Sequence, residues 1–251
     1  MKKYLALIII IIIAAIGITV SQHRSTPSKT TNLEQPATKP TPKKAPGFDK
    51  TKYSTTDPSS IWAVVNKQHP LSPKNYVPGD LVRPNVALRV PGNESMQLRQ
   101  ATASSVEAMF ADAKTAGLSL MLSSGYRSYD YQVKLYGGYV SSIGQASADT
   151  QSARPGYSEH QTGLALDIEP LSKTCELQQC FAGTPEGTWL VANAYKYGFL
   201  LRYTDALTSV TGYEGEPWHY RYVGVELATE LHSHNVATLE QFFGVTGGTN
   251  Y

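Results

Sequence analysis

The stretch from Tyr4 to Val20 is apolar and carries no charge, and it follows directly on Lys2 and Lys3. Such a run is long enough to cross most of a bilayer as a helix, so residues 1–20 read as a targeting element and not as part of a core. The isoleucines run unbroken and Ile18-Thr19-Val20-Ser21 is a poor small-x-small cleavage site, which favours an uncleaved single-pass transmembrane helix over a removed signal. The paired lysines keep the start of the chain in the cytoplasm and predict that everything after Val20 lies outside. The alternative is a domain secreted after cleavage. No cysteine follows the run, which argues against a lipid anchor.

Residues 21–50 are Pro, Thr, Ser and Lys with few large apolar side chains. They cannot bury enough surface to offset their ordering entropy, and read as an extended, disordered linker. Eight of the twenty-two Lys/Arg and two of the twenty Asp/Glu lie in residues 1–50, leaving fourteen against eighteen for the remainder. The basicity therefore belongs to the tether, and the mildly acidic remainder gives no sign of nucleic-acid binding. Residues 51–251 are enough for one domain with a substantial core. Cys175 and Cys180 are the chain's two cysteines and lie on the extracytoplasmic side of the expected anchor, so a disulfide closing a small loop is the leading reading; their spacing makes a poor zinc site.

Within that domain, residues 51–100 read as strand and extended cover. Val106, Met109, Phe110 and Ala113 recur at helical spacing after Thr102 as N-cap, and Gly117 ends the pattern. Leu118 to Ser123 reads as a buried strand. A helix after Ser128 carries Val133, Leu135, Tyr136 and Tyr139 as far as Gly144, and Thr184-Pro185-Glu186 opens another that Gly198 closes. Two more helices are expected at Val225–His232 and Leu239–Phe243, and short strands at Leu164–Ile168 and Trp218–Val223. Helices and strands in this order predict an α+β domain with a small, largely antiparallel sheet flanked by helices.

The densest group of polar residues able to bind metal is Ser158-Glu159-His160 through Gly163 to Asp167. Leu164, Leu166 and Ile168 alternate with Ala165 and Asp167, so a strand buries the leucines and places Asp167 on the other face. Glu214-Gly215-Glu216-Pro217-Trp218-His219 adds a second histidine and a carboxylate. His160, Asp167 and His219 would leave a fourth position for water, as in a catalytic zinc site, with Glu216 as the base that deprotonates it. A hydrogen-bonded structural role for each histidine stays equally open on chemistry alone. In a straight strand Glu216 and His219 face opposite sides, so the chain near Gly215-Pro217 must bend. His232 and His234 end a helix without a carboxylate pattern, and His23 and His69 read as surface residues. A third group, Ser123-Ser124-Gly125-Tyr126-Arg127-Ser128 to Gln132, places Arg127 where a strand runs into a helix, able to present a donor fork to a carboxylate or oxyanion.

Ser124-Gly125-Tyr126-Arg127-Ser128, the S-x-H-x-x-G-x-A-x-D run from Ser158 to Asp167, and Glu216-Pro217-Trp218-His219 resemble, in order and spacing, the VanY-type D-alanyl-D-alanine carboxypeptidases. The stretch from Val65 to Leu81 is similar to that family's opening segment, so the resemblance spans about Ile61 to Gly244. It implies Zn2+ held by His160, Asp167 and His219, with Glu216 as general base and Arg127 contacting the scissile carbonyl or substrate carboxylate. Ser158 and Gln132 would hold the terminal D-alanine, and Tyr203 and Trp218 would line the pocket. The expected activity is hydrolysis of the terminal D-alanine from peptidoglycan stem peptides by a monomer held at the membrane, in the order D,D-carboxypeptidase, then L,D-carboxypeptidase, then dipeptidase. A zinc-stabilised module that binds peptidoglycan without cutting it is the reading from another class.

Overall fold

The computed structural model describes residues 47–251, where apolar alternation along short strands sets the architecture. In chain order the strands are β1 (Leu81–Val82), β2 (Leu98–Arg99), β3 (Leu120–Ser124), β4 (Ala165–Pro170), β5 (Phe199–Tyr203) and β6 (Glu216–Tyr222). The helices are α1 (Gln100–Thr115), α2 (Tyr129–Ile143), α3 (Gln145–Gln151), α4 (Pro185–Asn193), α5 (Thr208–Thr211), α6 (Val225–Ser233) and α7 (Leu239–Phe243). Four strands form one sheet in the order β3-β4-β6-β5 with every neighbouring pair antiparallel, and β1 pairs with β2 in a separate ribbon. The fold is α+β, with helices packed around a small antiparallel sheet.

The sheet has one apolar and one polar face. Leu166 and Ile168 of β4, Tyr220 of β6 and Phe199 of β5 join Val106, Met109 and Phe110 of α1 in the main core. The residues between them, Asp167, His219, Arg221 and Arg202, are also buried but point the other way along each strand. A second apolar cluster gathers Trp62 and Val64 with Leu227 and Leu231 of α6 and Leu239 and Phe242 of α7. Trp62 donates its indole N–H to the Val223 carbonyl at 3.0 Å, which ties this cover to the end of β6. Phe48, in the segment read as linker, packs its ring 5.4 Å from Trp62, so the folded unit reaches back to Gly47.

Capping residues account for several helix starts. Ser128 accepts from the Tyr131 N–H, Thr184 from the Gly187 N–H and Thr238 from the Gln241 N–H. Three expectations need correction. First, α1 starts at Gln100 and not after Thr102, because the Gln100 N–H is held by the Asp80 carbonyl and β2 runs straight into the helix. Second, β5 is a strand that the apolar run Phe199-Leu200-Leu201 concealed, since a strand covered on both faces shows no alternation. Third, the expected apolar face of α2 does not enter a core: Val133 is exposed and Gln132 is the buried residue of the helix.

The transmembrane helix is also corrected. Among the described residues no helix is long and apolar enough to cross a membrane. The longest, α1, has 16 residues and buries one side against the sheet, a length of about 24 Å at 1.5 Å per residue where a bilayer core needs about 30 Å. Tyr4–Val20, on which the expectation rested, lies outside the described residues, as do residues 21–46 of the linker and His23.

Candidate metal centre

His160 sits in the single helical turn Glu159–Thr162, which Gly163 ends in the left-handed conformation at φ 66°. A Cβ at Gly163 would lie 2.9 Å from the Leu81 side chain, so glycine is needed both for the turn and for its approach to the β1–β2 ribbon. The His160 Nδ1 donates to the Gly125 carbonyl at 2.6 Å, since a carbonyl can only accept. That bond fixes the tautomer and leaves Nε2 with its lone pair toward Asp167, whose Oδ1 is 3.5 Å away. Gly125 is itself pinned: its N–H reaches the Ser95 carbonyl at 2.6 Å, and a Cβ there would fall 2.5 Å from the Gln97 carbonyl oxygen.

Asp167 and His219 are direct partners across the β4–β6 ladder, and β3 places Ser124 opposite Asp167 on the other side. The His219 Nδ1 lies 3.4 Å from Asp167 Oδ1 and 3.4 Å from Glu216 Oε2. Glu216 reaches this side because the β5–β6 ladder is irregular. From the pair Leu201–Tyr220 to the pair Tyr203–Glu216, β5 advances two residues while β6 advances four. The extra residues of β6 form a bulge around Pro217, supplying the bend that the sequence required.

The three potential ligand atoms of His160, Asp167 and His219 lie within 4.8 Å of one another, and all three residues are buried. His160 Nε2 and Asp167 Oδ1 have no hydrogen-bond partner among the described residues. Buried polar atoms left this way are costly unless something binds them, and two imidazoles with one carboxylate are the donor set of a catalytic zinc site. Electrostatics agree. Burial, aided by the Arg127 guanidinium, pushes the His160 imidazolium down to about 4, which keeps its lone pair free. Burial would also lower His219, but the carboxylates of Asp167, Glu159 and Glu216 around it outweigh that and hold the ring well above its usual range, so the centre attracts positive charge.

Behind His219 lies a network that the sequence motifs do not announce. The His219 Nε2 points at Glu159 Oε2, 3.4 Å away. Glu159 Oε1 accepts from Arg202 Nε and Arg221 Nη1, both at 2.9 Å, and Arg202 also grips Glu240 through two contacts of 3.0 and 2.6 Å. Burial would raise the Glu159 carboxyl, but the two guanidiniums hold it far below the ordinary carboxylate range. A Glu159 carboxylate gripped by two guanidiniums orients the His219 ring and leaves Nδ1 facing the site, an arrangement that strengthens a metal-bound imidazole. Arginines inside otherwise apolar strands, in Phe199-Leu200-Leu201-Arg202 and Tyr220-Arg221-Tyr222, were the available sign that a buried carboxylate must meet them.

The centre forms the floor of a cleft of about 480 Å³ lined by Arg127, Gln132, Ser158, Tyr203, Glu216 and Trp218, among others. Arg127 Nε is buried without a partner among the described residues, and its backbone N–H is held by the His160 carbonyl at 3.2 Å. Gln132 gives its amide N–H groups to Ser152 Oγ and the Ala153 carbonyl, leaving Oε1 buried and unpaired among the described residues. The Tyr203 ring lies 4.7 Å from that of His219. Leu135 and Tyr139 of α2 line the cleft, which explains a helix whose apolar residues miss the core. Cys175 and Cys180 are joined in a disulfide, and Leu177 and Gln179 from the loop between them also line the cleft. His69, His232 and His234 take no part: His69 bonds Thr246, His232 stacks on Tyr195, and His234 is exposed.

Comparison with known proteins agrees with this centre. The VanY family model, described as D-alanyl-D-alanine carboxypeptidase, matches residues 95–225. YodJ of Bacillus subtilis (strain 168) is 44% identical over 190 residues, covering 74% of this chain and 68% of that protein. The solved structure of the LdcB LD-carboxypeptidase superposes with a TM-score of 0.70 at 43% identity, over 75% of this chain and 88% of the other. VanYB in complex with D-alanine-D-alanine gives 0.60 at 30% identity, over 74% and 97%. Fold and site together define a zinc-dependent metallopeptidase. The chain belongs to the VanY family of D-alanyl-D-alanine carboxypeptidases, whose matched segment begins beside the Gly125 anchor and runs through all three motifs.

Proposed function

We propose that the domain is an L,D-carboxypeptidase that removes the terminal D-alanine from tetrapeptide stems of peptidoglycan outside the cytoplasm. The observation that carries this is the closer likeness to the LdcB LD-carboxypeptidase than to VanYB over nearly equal shares of the chain, 43% against 30% identity and TM-scores of 0.70 against 0.60. The proposal thus puts L,D-cleavage ahead of the D,D-cleavage expected first from the motifs, with the likeness to the LdcB LD-carboxypeptidase as its support. Ligands and base serve either bond, whereas the walls around the penultimate residue select between them. A disulfide at the cleft suits an oxidising, extracytoplasmic setting.

In this reading His160 Nε2, Asp167 and His219 Nδ1 hold zinc, which when bound polarises a carbonyl and acidifies water. Glu216, beside His219, takes the proton from the attacking water and returns it to the departing D-alanine nitrogen. Arg127 offers its unpaired Nε to the scissile carbonyl oxygen or to the terminal carboxylate. Gln132 Oε1 and Ser158 receive the D-alanine, with Tyr203 and Trp218 as walls. Hydrolysis is direct, because no serine in this scheme acts as nucleophile. Zinc-loaded protein incubated with pentapeptide and tetrapeptide stems and followed by mass spectrometry tests the proposal. Loss of one alanine from the tetrapeptide is expected; trimming of the pentapeptide alone would return the D,D reading, and unchanged masses would favour the binding module.

A further inference from the structure

The loop closed by Cys175 and Cys180 has no part in the metal centre, yet it borders the cleft. Its backbone is unusual. Lys173, Cys175 and Leu177 all take positive φ, at 60°, 59° and 46°, a conformation that side-chain-bearing residues adopt only when held there. The holding contacts are visible. The Leu171 N–H is fixed to the Ser119 carbonyl at 2.8 Å, Cys175 packs on the main core, and Glu176 pairs with Arg89, which also reaches Ser123 Oγ of β3 at 3.1 Å. The disulfide then shortens the free chain to a five-residue separation. An exposed surface loop with no task would not need four restraints.

What the loop presents is Gln179. Its side-chain amide donates to the carbonyl of Gly215, the residue before Glu216. The Gly215 N–H is held from the other direction by Asp205 Oδ1 at 2.7 Å. A Cβ on Gly215 would lie 2.6 Å from that same oxygen, so the chain there has no slack for a side chain. Both peptide groups of Gly215 are therefore clamped by side chains at the point where β6 begins its bulge, and the bulge is what turns Glu216 toward His219.

We infer that the disulfide-closed loop is a positioning element for Glu216, acting through the bond from Gln179 to the Gly215 carbonyl. Gln179 is a positioning residue and touches no reacting atom. The inference rests on Glu216 being the base, and it goes beyond that reading by giving the cysteine loop a task. The zinc ligands stand on β4, on the turn before it and deeper in β6, so loosening Gly215 shifts the base and leaves the metal in place. Small displacements of a catalytic group cost about a hundredfold in rate.

The test is steady-state kinetics on whichever D-alanine-ending stem the wild type hydrolyses, with zinc content and thermal midpoint measured on the same samples. Gln179→Ala is expected to lower kcat about ten- to a hundredfold, with KM, zinc stoichiometry and midpoint unchanged. Gln179→Lys, which restores a donor of similar reach, should recover most of the loss. The Cys175→Ser/Cys180→Ser double variant should lower kcat to a similar degree, and adding Gln179→Ala to it should cost little more, because both act through one contact. A raised KM with wild-type kcat would make Gln179 a pocket wall and overturn the inference, as would additive losses or a kcat within twofold of wild type. Glu216→Gln in the same series separates the two readings. Wild-type turnover there would remove the base assignment, whereas its loss beside a fully active Gln179→Ala would remove this inference alone.

Discussion

Glu159→Gln is the substitution whose outcome the buried network dictates most closely. The wild-type carboxylate has two jobs at once: Oε1 takes both Arg202 and Arg221, and Oε2 faces the His219 Nε2–H. A glutamine has the same shape but one oxygen. With that oxygen toward the guanidiniums, its NH2 opposes the imidazole N–H; with the amide reversed, the NH2 opposes two cations. The first orientation is favoured because two guanidiniums outweigh one imidazole N–H, so His219 loses its partner. Loss of such an outer contact costs about ten- to a hundredfold in zinc affinity, or about 1.4–2.7 kcal/mol. The metal-free domain also suffers, because Arg202 is left with Glu240 as its one carboxylate and Arg221 with none. Arg202 keeps its two contacts to Glu240, while Arg221 keeps the carbonyls of Ile61 and Ala63 at 3.2 and 2.8 Å. Removing one member of a buried ion pair costs about 3–5 kcal/mol. Zinc affinity is read by competition with a chromophoric chelator, and stability by urea unfolding in EDTA. Glu240→Gln is the control, since Glu240 bonds Arg202 and not His219: stability should fall and zinc affinity should hold. Wild-type zinc affinity in Glu159→Gln, or an equal loss in Glu240→Gln, would refute the argument that Glu159 works through the imidazole.

Three further outcomes are expected. Glu216→Ala should keep stoichiometric zinc by metal analysis while turnover drops at least a hundredfold, since the proposed role of Glu216 is that of a base and not a ligand; an empty site would instead move Glu216 among the ligands. Gly125→Ala should weaken zinc binding and lower the thermal midpoint, since the added Cβ collides with the Gln97 carbonyl and shifts the oxygen that holds His160 Nδ1; unchanged zinc affinity would break that link. In EDTA, the urea midpoint of wild type should exceed that of Glu240→Gln most clearly above pH ~4.5 and approach it as the solution is acidified. Burial would raise Glu240, but Arg202 and the Asn66 amide hold it below its ordinary value, so its contribution is complete above the unfolded pKa of about 4.3 and disappears as pH falls through the lower folded one. A gap that widens toward acid would contradict the sign.

The motifs around His160, Asp167 and His219 were legible because they are local. A glycine that must turn, a leucine face that must be buried and a cap that must accept an N–H each leave their mark within a few residues. The helices at α4, α6 and α7 and the strand β4 were readable on the same grounds. The α2 pattern misled because Leu135 and Tyr139 line a cleft while Val133 faces solvent, and an apolar wall has the same periodicity as a core face. The anchor expected of Tyr4–Val20 found no counterpart among the described residues.

By itself, then, the sequence determined the α+β class and the family, and it named the three residues, His160, Asp167 and His219, that the fold brings together. Tertiary structure alone decided how the ligands are supported: Glu159 meets Arg202 and Arg221 across 43 and 62 residues of chain, and no local pattern records such a meeting. It also decided how Glu216 comes round to His219: the sequence required a bend near Gly215-Pro217, and the unequal advance of β5 and β6 gives that bend the form of a bulge. Periodicity encodes which face a side chain takes on its own element, whereas partners, and the bends they enforce, exist only once separate elements share a space.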